Sequence, residues 1–159
     1  MGSFDSTALD REIGDANRVL LDTSTLIAFH STAEQAHPLA RHVMDRIEQG
    51  SDPLVGYFSV VSAVELLVRP IRKGTPELTL MHTFLTGFPN LTVLPMDLQV
   101  ANQAATLRAI TGIRTPDAII IATGLLAACE AVITNDEEWK RKMEPLFPRF
   151  RWVCLSDHA

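Results

Sequence analysis

The sequence has few of the features that mark disulfide-rich, membrane-spanning or secreted proteins. It contains only two cysteines, Cys129 and Cys154, which form no CxxC pair and lie in apolar stretches, so we expect buried and unreactive thiols. No apolar run approaches the roughly 20 residues of a membrane-spanning helix. The amino-terminal residues are polar and acidic and lack the apolar core of a signal peptide, which predicts a cytoplasmic protein with no membrane contact.

Positive charge is also scarce. The formal net charge is −5, and of the 14 basic residues 11 are arginine and three are lysine. A protein that binds nucleic acid through a broad basic surface would normally be basic overall. Much of the negative charge comes from four carboxylates discussed below, and the rest of the chain is nearly neutral if these bind cations. The charge therefore excludes only a general basic binding surface.

With 159 residues, 47% of them hydrophobic, the chain has the size and composition of one globular domain. Residues 1–17 show no hydrophobic periodicity and are predicted to form a flexible amino-terminal extension. Residues 18–159 are predicted to form the single domain.

Short apolar runs alternate with helical patterns along this domain. Strands are predicted at 18–22, 54–58, 91–94 and 131–134, with an edge strand near 150–155. Helices are predicted at 23–29, 38–49, 60–68, 97–111 and 115–129, and residues 70–76 are predicted to form a turn-rich connection that leads to a further helix ending near 87. No short hairpin turn joins two strands, so the pattern favours an α/β fold with a mostly parallel central sheet and helices on both faces.

Four carboxylates occupy unusual positions in this pattern. Asp22 and Asp136 follow apolar strands and precede helices, Asp117 lies in the first turn of a very apolar helix, and Glu65 is the only ionisable residue of the apolar segment 60–68. Each position has a simpler explanation. Asp22 could cap a helix, Asp117 could favour the helix dipole, and Glu65 could point outward to solvent.

Taken together, the four carboxylates are more informative, because a parallel sheet brings the carboxyl ends of its strands to one edge, where α/β proteins bind ligands. Clustered carboxylates repel one another, and a hard divalent cation relieves that repulsion. Oxygen ligands favour Mg²⁺ or Mn²⁺, and the absence of HExxH or paired-cysteine spacing argues against zinc.

Four motifs carry a resemblance to a known family: LDTSTLI around Asp22, VVSAVELL around Glu65, RTPDAIIIAT around Asp117 and VITNDEEW around Asp136. The chain resembles the PIN-domain nucleases over residues 18–155, and it is most similar to the VapC toxins of bacterial toxin–antitoxin pairs. The resemblance implies a PIN-like three-layer sandwich, Mg²⁺- or Mn²⁺-dependent cleavage of RNA, a homodimer, and inhibition by a small VapB-like antitoxin.

The resemblance also implies roles for individual residues. Asp22, Glu65, Asp117 and Asp136, called the acidic quartet below, carry over as the catalytic and metal-binding residues. Thr134 corresponds to the hydroxyl residue of the last motif, and Ser24 stands where the family often has asparagine. The expected reaction is phosphodiester hydrolysis by metal-activated water.

Two alternatives remain open at this point. One is a non-catalytic PIN-like module that binds RNA or protein. The other is an aspartyl-phosphate enzyme, although such phosphatases carry a second aspartate where this chain has Ser24. The RNA target and the number of metal ions are not predicted.

An antitoxin groove is predicted from apolar residues in the helices near the carboxylates. A helical peptide could lie there and extend an arginine to the acidic quartet, and the alternative is that these residues belong to the core or to a homodimer contact. The residues are Leu26, Ile27, Phe29, Leu39, Val43, Leu66 and Leu67.

Overall fold

A computed structural model describes residues 4–50 and 52–159 of the chain. Five strands alternate with helices, as the apolar pattern predicts. The strands are β1 (Arg18–Leu21), β2 (Val55–Ser59), β3 (Leu91–Leu94), β4 (Ala131–Thr134) and β5 (Arg151–Cys154). The helices are α1 (Ser6–Ile13), α2 (Thr23–His30), α3 (His37–Gln49), α4 (Val60–Lys73), α5 (Thr75–Gly87), α6 (Leu98–Thr111), α7 (Thr115–Leu126) and α8 (Glu137–Met143), and a 3₁₀ turn covers Leu155–His158.

The strands form one sheet in the order β3-β2-β1-β4-β5, and all of its pairings are parallel. This confirms the predicted sheet. The chain moves outward in one direction from β1 to β3 and in the other direction from β1 to β5, so the strand order reverses between β1 and β4. Ligands of open α/β sheets bind outside the carboxyl ends of the strands at such a switch point.

Alternate residues of the central strands point into two separate cores, which explains why these strands are continuously apolar. Val19 and Leu21 of β1 face the core formed with α1 to α5, whereas Leu20 faces the core formed with α6, α7 and α8. All three side chains are fully buried. The helices therefore cover both faces, and the prediction of a three-layer α/β sandwich is confirmed.

The amino-terminal segment differs from the predicted flexible extension. Residues 1–3 lie outside the described part of the chain, but Ser6–Ile13 is a helix capped by the side chain of Asp5. Leu9 and Ile13, one helical turn apart, are fully buried in the core. The prediction of a flexible extension was wrong for this segment. The apolar residues of α1 pack against elements that are distant in the sequence, including α3 and β5, and a local sequence pattern does not reveal such contacts.

Helix α4 is longer than predicted. Residues 70–73, assigned to a turn-rich connection, continue the helix, and Pro70 lies inside it. Proline disfavours a helix interior because it removes one hydrogen bond and crowds the preceding turn. Here Pro70 is buried, and its packing offsets this local cost, so the helix continues to Lys73. Gly74 caps it, and the Gly74 N–H donates to the Pro70 carbonyl.

Most of the residues predicted to line an antitoxin groove belong to the hydrophobic core. Four of its seven residues are buried, and Phe29 and Leu67 pack partly buried against the same core. Ile27 alone is substantially exposed, at 42%. The four buried residues are Leu26, Leu39, Val43 and Leu66. Their side chains fill the space between α2, α3, α4 and the sheet, and they cannot line an open groove.

Cys129 and Cys154 are free and buried, as predicted. Burial raises the pKa of the Cys129 thiol to about 12, so it is not a reactive thiolate near neutral pH. Within residues 4–50 and 52–159, no helix is long and apolar enough to cross a membrane.

Candidate active site

Asp22 lies directly after β1, at the switch point of the sheet. It occupies the cap position of α2, but its side chain makes no capping hydrogen bond to that helix. Its Oδ2 instead accepts hydrogen bonds of 2.7 Å from Ser24 Oγ and 2.7 Å from Thr134 Oγ1. The helix-cap explanation therefore fails for Asp22, and the two hydroxyl residues named with it in the sequence both contact its carboxylate.

The Asp22 carboxyl group is held in an unfavourable environment for a negative charge. The residue is only 5% exposed, and burial raises its pKa to about 6. Hydrogen bonds from Ser24 and Thr134 act in the opposite direction, and the charge of Asp117 adds to the rise. Asp22 forms no ion pair with any residue that the structure describes, and a carboxylate that is buried and repelled by a second carboxylate is suited to binding a cation.

Ser24 and Thr134 connect Asp22 to the segment that follows β4. Ser24 Oγ accepts a 2.9 Å hydrogen bond from the Asn135 N–H, and Thr134 Oγ1 accepts one of 3.0 Å from the Asp136 N–H. Each hydroxyl therefore donates to Asp22 and accepts from the backbone. The network fixes the two strand ends against each other, as the adjacent pairing of β1 and β4 requires.

Glu65 reaches the same region from α4. The residue is exposed, so the explanation that it points to solvent is correct and no burial cost arises. Its Oε1 nevertheless accepts a 2.9 Å hydrogen bond from Thr23 Oγ1, and Thr23 also lies 2.8 Å from Ser62 Oγ. Since Thr23 follows Asp22 directly, this contact connects α4 to the end of β1.

Asp117, in the first turn of α7, pairs with an arginine that the sequence analysis did not select. Arg114 Nε lies 3.2 Å from Asp117 Oδ2, and the two side chains are 80% and 15% exposed. Arg114 also occupies the cap position of α7, one residue before the predicted cap Thr115. The Arg-x-x-Asp spacing at the start of a helix could have indicated this pair, because residues three apart are neighbours there.

Asp136 is the cap of α8, and its Oδ1 accepts a 2.9 Å hydrogen bond from the Glu138 N–H. A capping role thus accounts for this carboxylate, although it leaves the second oxygen of the side chain available. Asp136 also contributes to the electrostatic environment of Arg114. The pKa of Arg114 is raised first by its hydrogen bond and charge interaction with Asp117, and further by the charges of Asp136 and Glu65.

The four carboxylates thus lie in one region, but they do not form a finished coordination shell. No three histidine, cysteine, aspartate or glutamate side chains among the described residues are arranged to hold one metal ion. Each carboxylate instead contacts a different partner, namely hydroxyl groups, a backbone N–H or Arg114. Their mutual repulsion would be relieved by a cation, and the all-oxygen donor set suits Mg²⁺ or Mn²⁺.

The PIN domain family matches residues 19–144, which is most of the chain. None of the curated proteins compared with the chain matches it significantly.

Solved structures share the fold at low sequence identity. A toxin–antitoxin complex from Klebsiella pneumoniae is 20% identical with a TM-score of 0.63, the match covering 86% of this chain and 97% of that one. VapBC2 from Rickettsia felis, bound to a promoter DNA fragment, is 13% identical with a TM-score of 0.62, covering 86% and 98%. VapC20 from Mycobacterium tuberculosis, a toxin that cleaves the sarcin–ricin loop, is 16% identical with a TM-score of 0.61, covering 77% and 93%.

The family match begins and ends close to the elements that carry the carboxylates. It includes all four motifs, from the strand before Asp22 to the helix after Asp136, and it leaves out α1 and β5. The switch-point geometry and the order of the motifs agree with this match. The chain belongs to the PIN-domain family.

Proposed function

We propose that this PIN domain is a divalent-metal-dependent endoribonuclease and the toxin of a toxin–antitoxin pair. The observation that carries the proposal is the buried carboxylate of Asp22 at the switch point, with Asp117 close enough to raise its pKa. Asp117 pairs with Arg114, and the charges of Asp136 and Glu65 also act on that arginine. An electrostatic arrangement of this kind favours a bound cation over an empty site.

The residues of this chain would have distinct roles. Asp22, Asp117 and Asp136 would hold the cation directly or through water, and Glu65 would bind it or orient the attacking water. When bound, Mg²⁺ or Mn²⁺ supplies Lewis acidity toward water and a phosphate oxygen. Ser24 and Thr134 would keep the Asp22 carboxylate in place through the two 2.7 Å hydrogen bonds.

A second candidate is a PIN-like module that binds RNA or protein without catalysis. The absence of a preformed three-ligand arrangement among the described residues favours it. The two candidates differ in cation affinity, because a non-catalytic module needs no Mn²⁺ site. Calorimetric titration of the purified protein with MnCl₂ separates them, and the nuclease proposal requires binding.

Catalysis is tested with purified protein and a labelled mixed-sequence RNA. We expect endonucleolytic cleavage with MgCl₂ or MnCl₂ and none in EDTA. Asp136→Asn should abolish cleavage without unfolding the protein, because asparagine is as good a helix cap as aspartate. Glu138→Gln, in the first turn of the same helix, is the matched control and should retain activity. Cleavage that continues unchanged in EDTA would exclude this mechanism.

The proposal includes two protein partners, a VapB-like antitoxin and a second copy of the chain, and it places the protein in the cytoplasm. Helix α4 offers a surface for such contacts, because Val60, Val64, Val68 and Ile71 are exposed at 38%, 63%, 42% and 62% and recur on one face. We expect Val64→Glu to weaken self-association or antitoxin binding, as measured by light scattering and by co-purification. Arg41→Glu, on α3, serves as an exposed control.

A further inference from the structure

Arg114 is the cation that ion-pairs with the acidic quartet, and among the described residues no other ion pair involves these four carboxylates. It approaches Asp117 from the solvent side, since 80% of its own side chain is exposed against 15% for Asp117. The charges of Glu65 and Asp136 act on it as well. The guanidinium group therefore lies at the mouth of the quartet, on the side from which a cation or a substrate would approach.

We propose that Arg114 is a substrate-positioning residue that exchanges partners: it pairs with Asp117 in the metal-free protein and binds an RNA phosphate when a divalent cation occupies the quartet. This inference rests on the proposed nuclease function. It assigns to Arg114 a role that the four carboxylates cannot fill, because a negatively charged site needs a positive group for the phosphates on either side of the reacting one.

The exchange is energetically accessible. The Arg114 side chain is 80% exposed, so water screens its interaction with Asp117 even though that carboxylate is only 15% exposed, and a pair screened in this way contributes little to stability. A divalent cation bound to Asp117 carries more charge and repels the guanidinium, so it should displace Arg114. The released side chain is long, exposed and always charged, and its planar group forms paired hydrogen bonds with phosphate oxygens.

The first test measures MnCl₂ binding by calorimetry, without RNA. Arg114→Ala should bind Mn²⁺ about two- to fivefold more tightly than wild type, because the competing charge is gone. Arg141→Ala is the matched control: Arg141 is 75% exposed and pairs with Glu138 at three-residue spacing, as Arg114 does with Asp117. It should leave Mn²⁺ affinity unchanged.

The second test measures kcat/KM for a labelled mixed-sequence RNA at saturating MnCl₂ and several KCl concentrations. Arg114→Ala should lower kcat/KM about tenfold to a hundredfold, as expected for a lost hydrogen bond to a charged group. It should also reduce the slope of log kcat/KM against log[KCl] by about 0.7, the contribution of one phosphate contact to a single strand. Arg114→Lys should restore part of the rate, and Arg141→Ala should change neither rate nor slope.

Tighter Mn²⁺ binding together with slower RNA cleavage by Arg114→Ala would support the exchange, because damage to the fold would lower both the Mn²⁺ affinity and the cleavage rate. Unchanged or weaker Mn²⁺ binding by Arg114→Ala would overturn the displacement, and an unchanged salt slope would overturn the phosphate contact. Both outcomes leave the proposed function intact if wild-type protein binds Mn²⁺ and cleaves RNA. If the wild-type protein does neither, the proposed function fails, and this inference fails with it.

Discussion

Thr134 Oγ1 donates a 2.7 Å hydrogen bond to Asp22 Oδ2, across the point where the ends of β4 and β1 meet. Thr134 is fully buried, and its hydroxyl also accepts the N–H of Asp136. A single side chain thus connects two members of the acidic quartet, although 112 positions separate it from Asp22 in the sequence.

Thr134→Val tests this connection, because valine keeps the shape of threonine but has no hydroxyl group. The hydrogen bond from Thr134 lowers the pKa of Asp22, so its loss should raise that pKa further above about 6 and weaken Mn²⁺ binding. Titration of the Asp22 carboxyl by NMR and calorimetry with MnCl₂ would measure both effects.

Thr25→Val is the control for that variant. Thr25 is also fully buried, but its hydroxyl donates to the Ile133 carbonyl and not to the quartet. Both variants should lose stability, typically by about 1–3 kcal/mol for a buried hydrogen bond. Only Thr134→Val should change Mn²⁺ affinity, and equal effects on affinity would contradict a specific role for Thr134.

Asp22→Asn should stabilise the metal-free protein at neutral pH. Raising the Asp22 pKa from 3.8 to about 6 corresponds to roughly 3 kcal/mol of unfavourable charge burial at pH 7. The folded protein binds the proton more tightly than the unfolded chain, so stability from this group is present below pH 3.8 and is lost as the pH rises to about 6. Asparagine removes the charge, and we expect the free energy of unfolding to increase by about 1–3 kcal/mol at pH 7.

Denaturant unfolding in EDTA at pH 7 and below pH 4 would measure this gain. The difference between Asp22→Asn and wild type should nearly disappear at the lower pH, where both side chains are neutral. Asp45→Asn is a control at an exposed pair with Arg41 and should change stability by less than about 0.5 kcal/mol. A destabilised Asp22→Asn protein at pH 7 would refute this account of the buried charge.

Glu65→Gln should weaken Mn²⁺ binding even though Glu65 is exposed. Glutamine can still accept the hydrogen bond from Thr23, so the contact between α4 and β1 should remain, whereas the negative charge is lost. We expect about tenfold or greater weakening, comparable with other changes around metal sites. Calorimetry would compare it with Glu48→Gln, at an exposed position of α3, and equal affinities would remove Glu65 from the metal site.

Gly124→Ala should destabilise the fold through contact between α7 and β1. A Cβ atom at Gly124 would lie 2.6 Å from Leu20 Cδ2 and 3.1 Å from Leu20 Cβ, and Leu20 is fully buried. Overpacking of this kind costs about 1–3 kcal/mol. Gly87→Ala is the control, because no heavy atom of the described residues lies within 4 Å of a Cβ there, and thermal unfolding should show a neutral or slightly stabilising effect.

Much of the fold could be predicted from the sequence, as could the positions of Asp22 and Asp136 at the carboxyl ends of β1 and β4. The apolar runs before Asp22 and Asp136 have no alternation, and a strand with both faces covered produces that pattern because each side chain enters one of two cores. A parallel sheet brings the carboxyl ends of its strands to one edge, where Asp22 and Asp136 follow β1 and β4. Local sequence therefore determined which carboxylates lie at the carboxyl edge.

The tertiary structure decided the features that depend on distant contacts. Helix α1 is stable because Leu9 and Ile13 pack into a core formed by other elements, and four of the seven predicted groove residues are buried in that same core. Nothing in the sequence predicts the hydrogen bond between Thr23 and Glu65. Nor does it show whether the Asp22 side chain caps helix α2 or is buried beside Ser24 and Thr134. Hydrogen bonds and charge interactions vary with distances of a few ångströms between residues far apart in the chain, and only the packing of the helices on the sheet determines those distances.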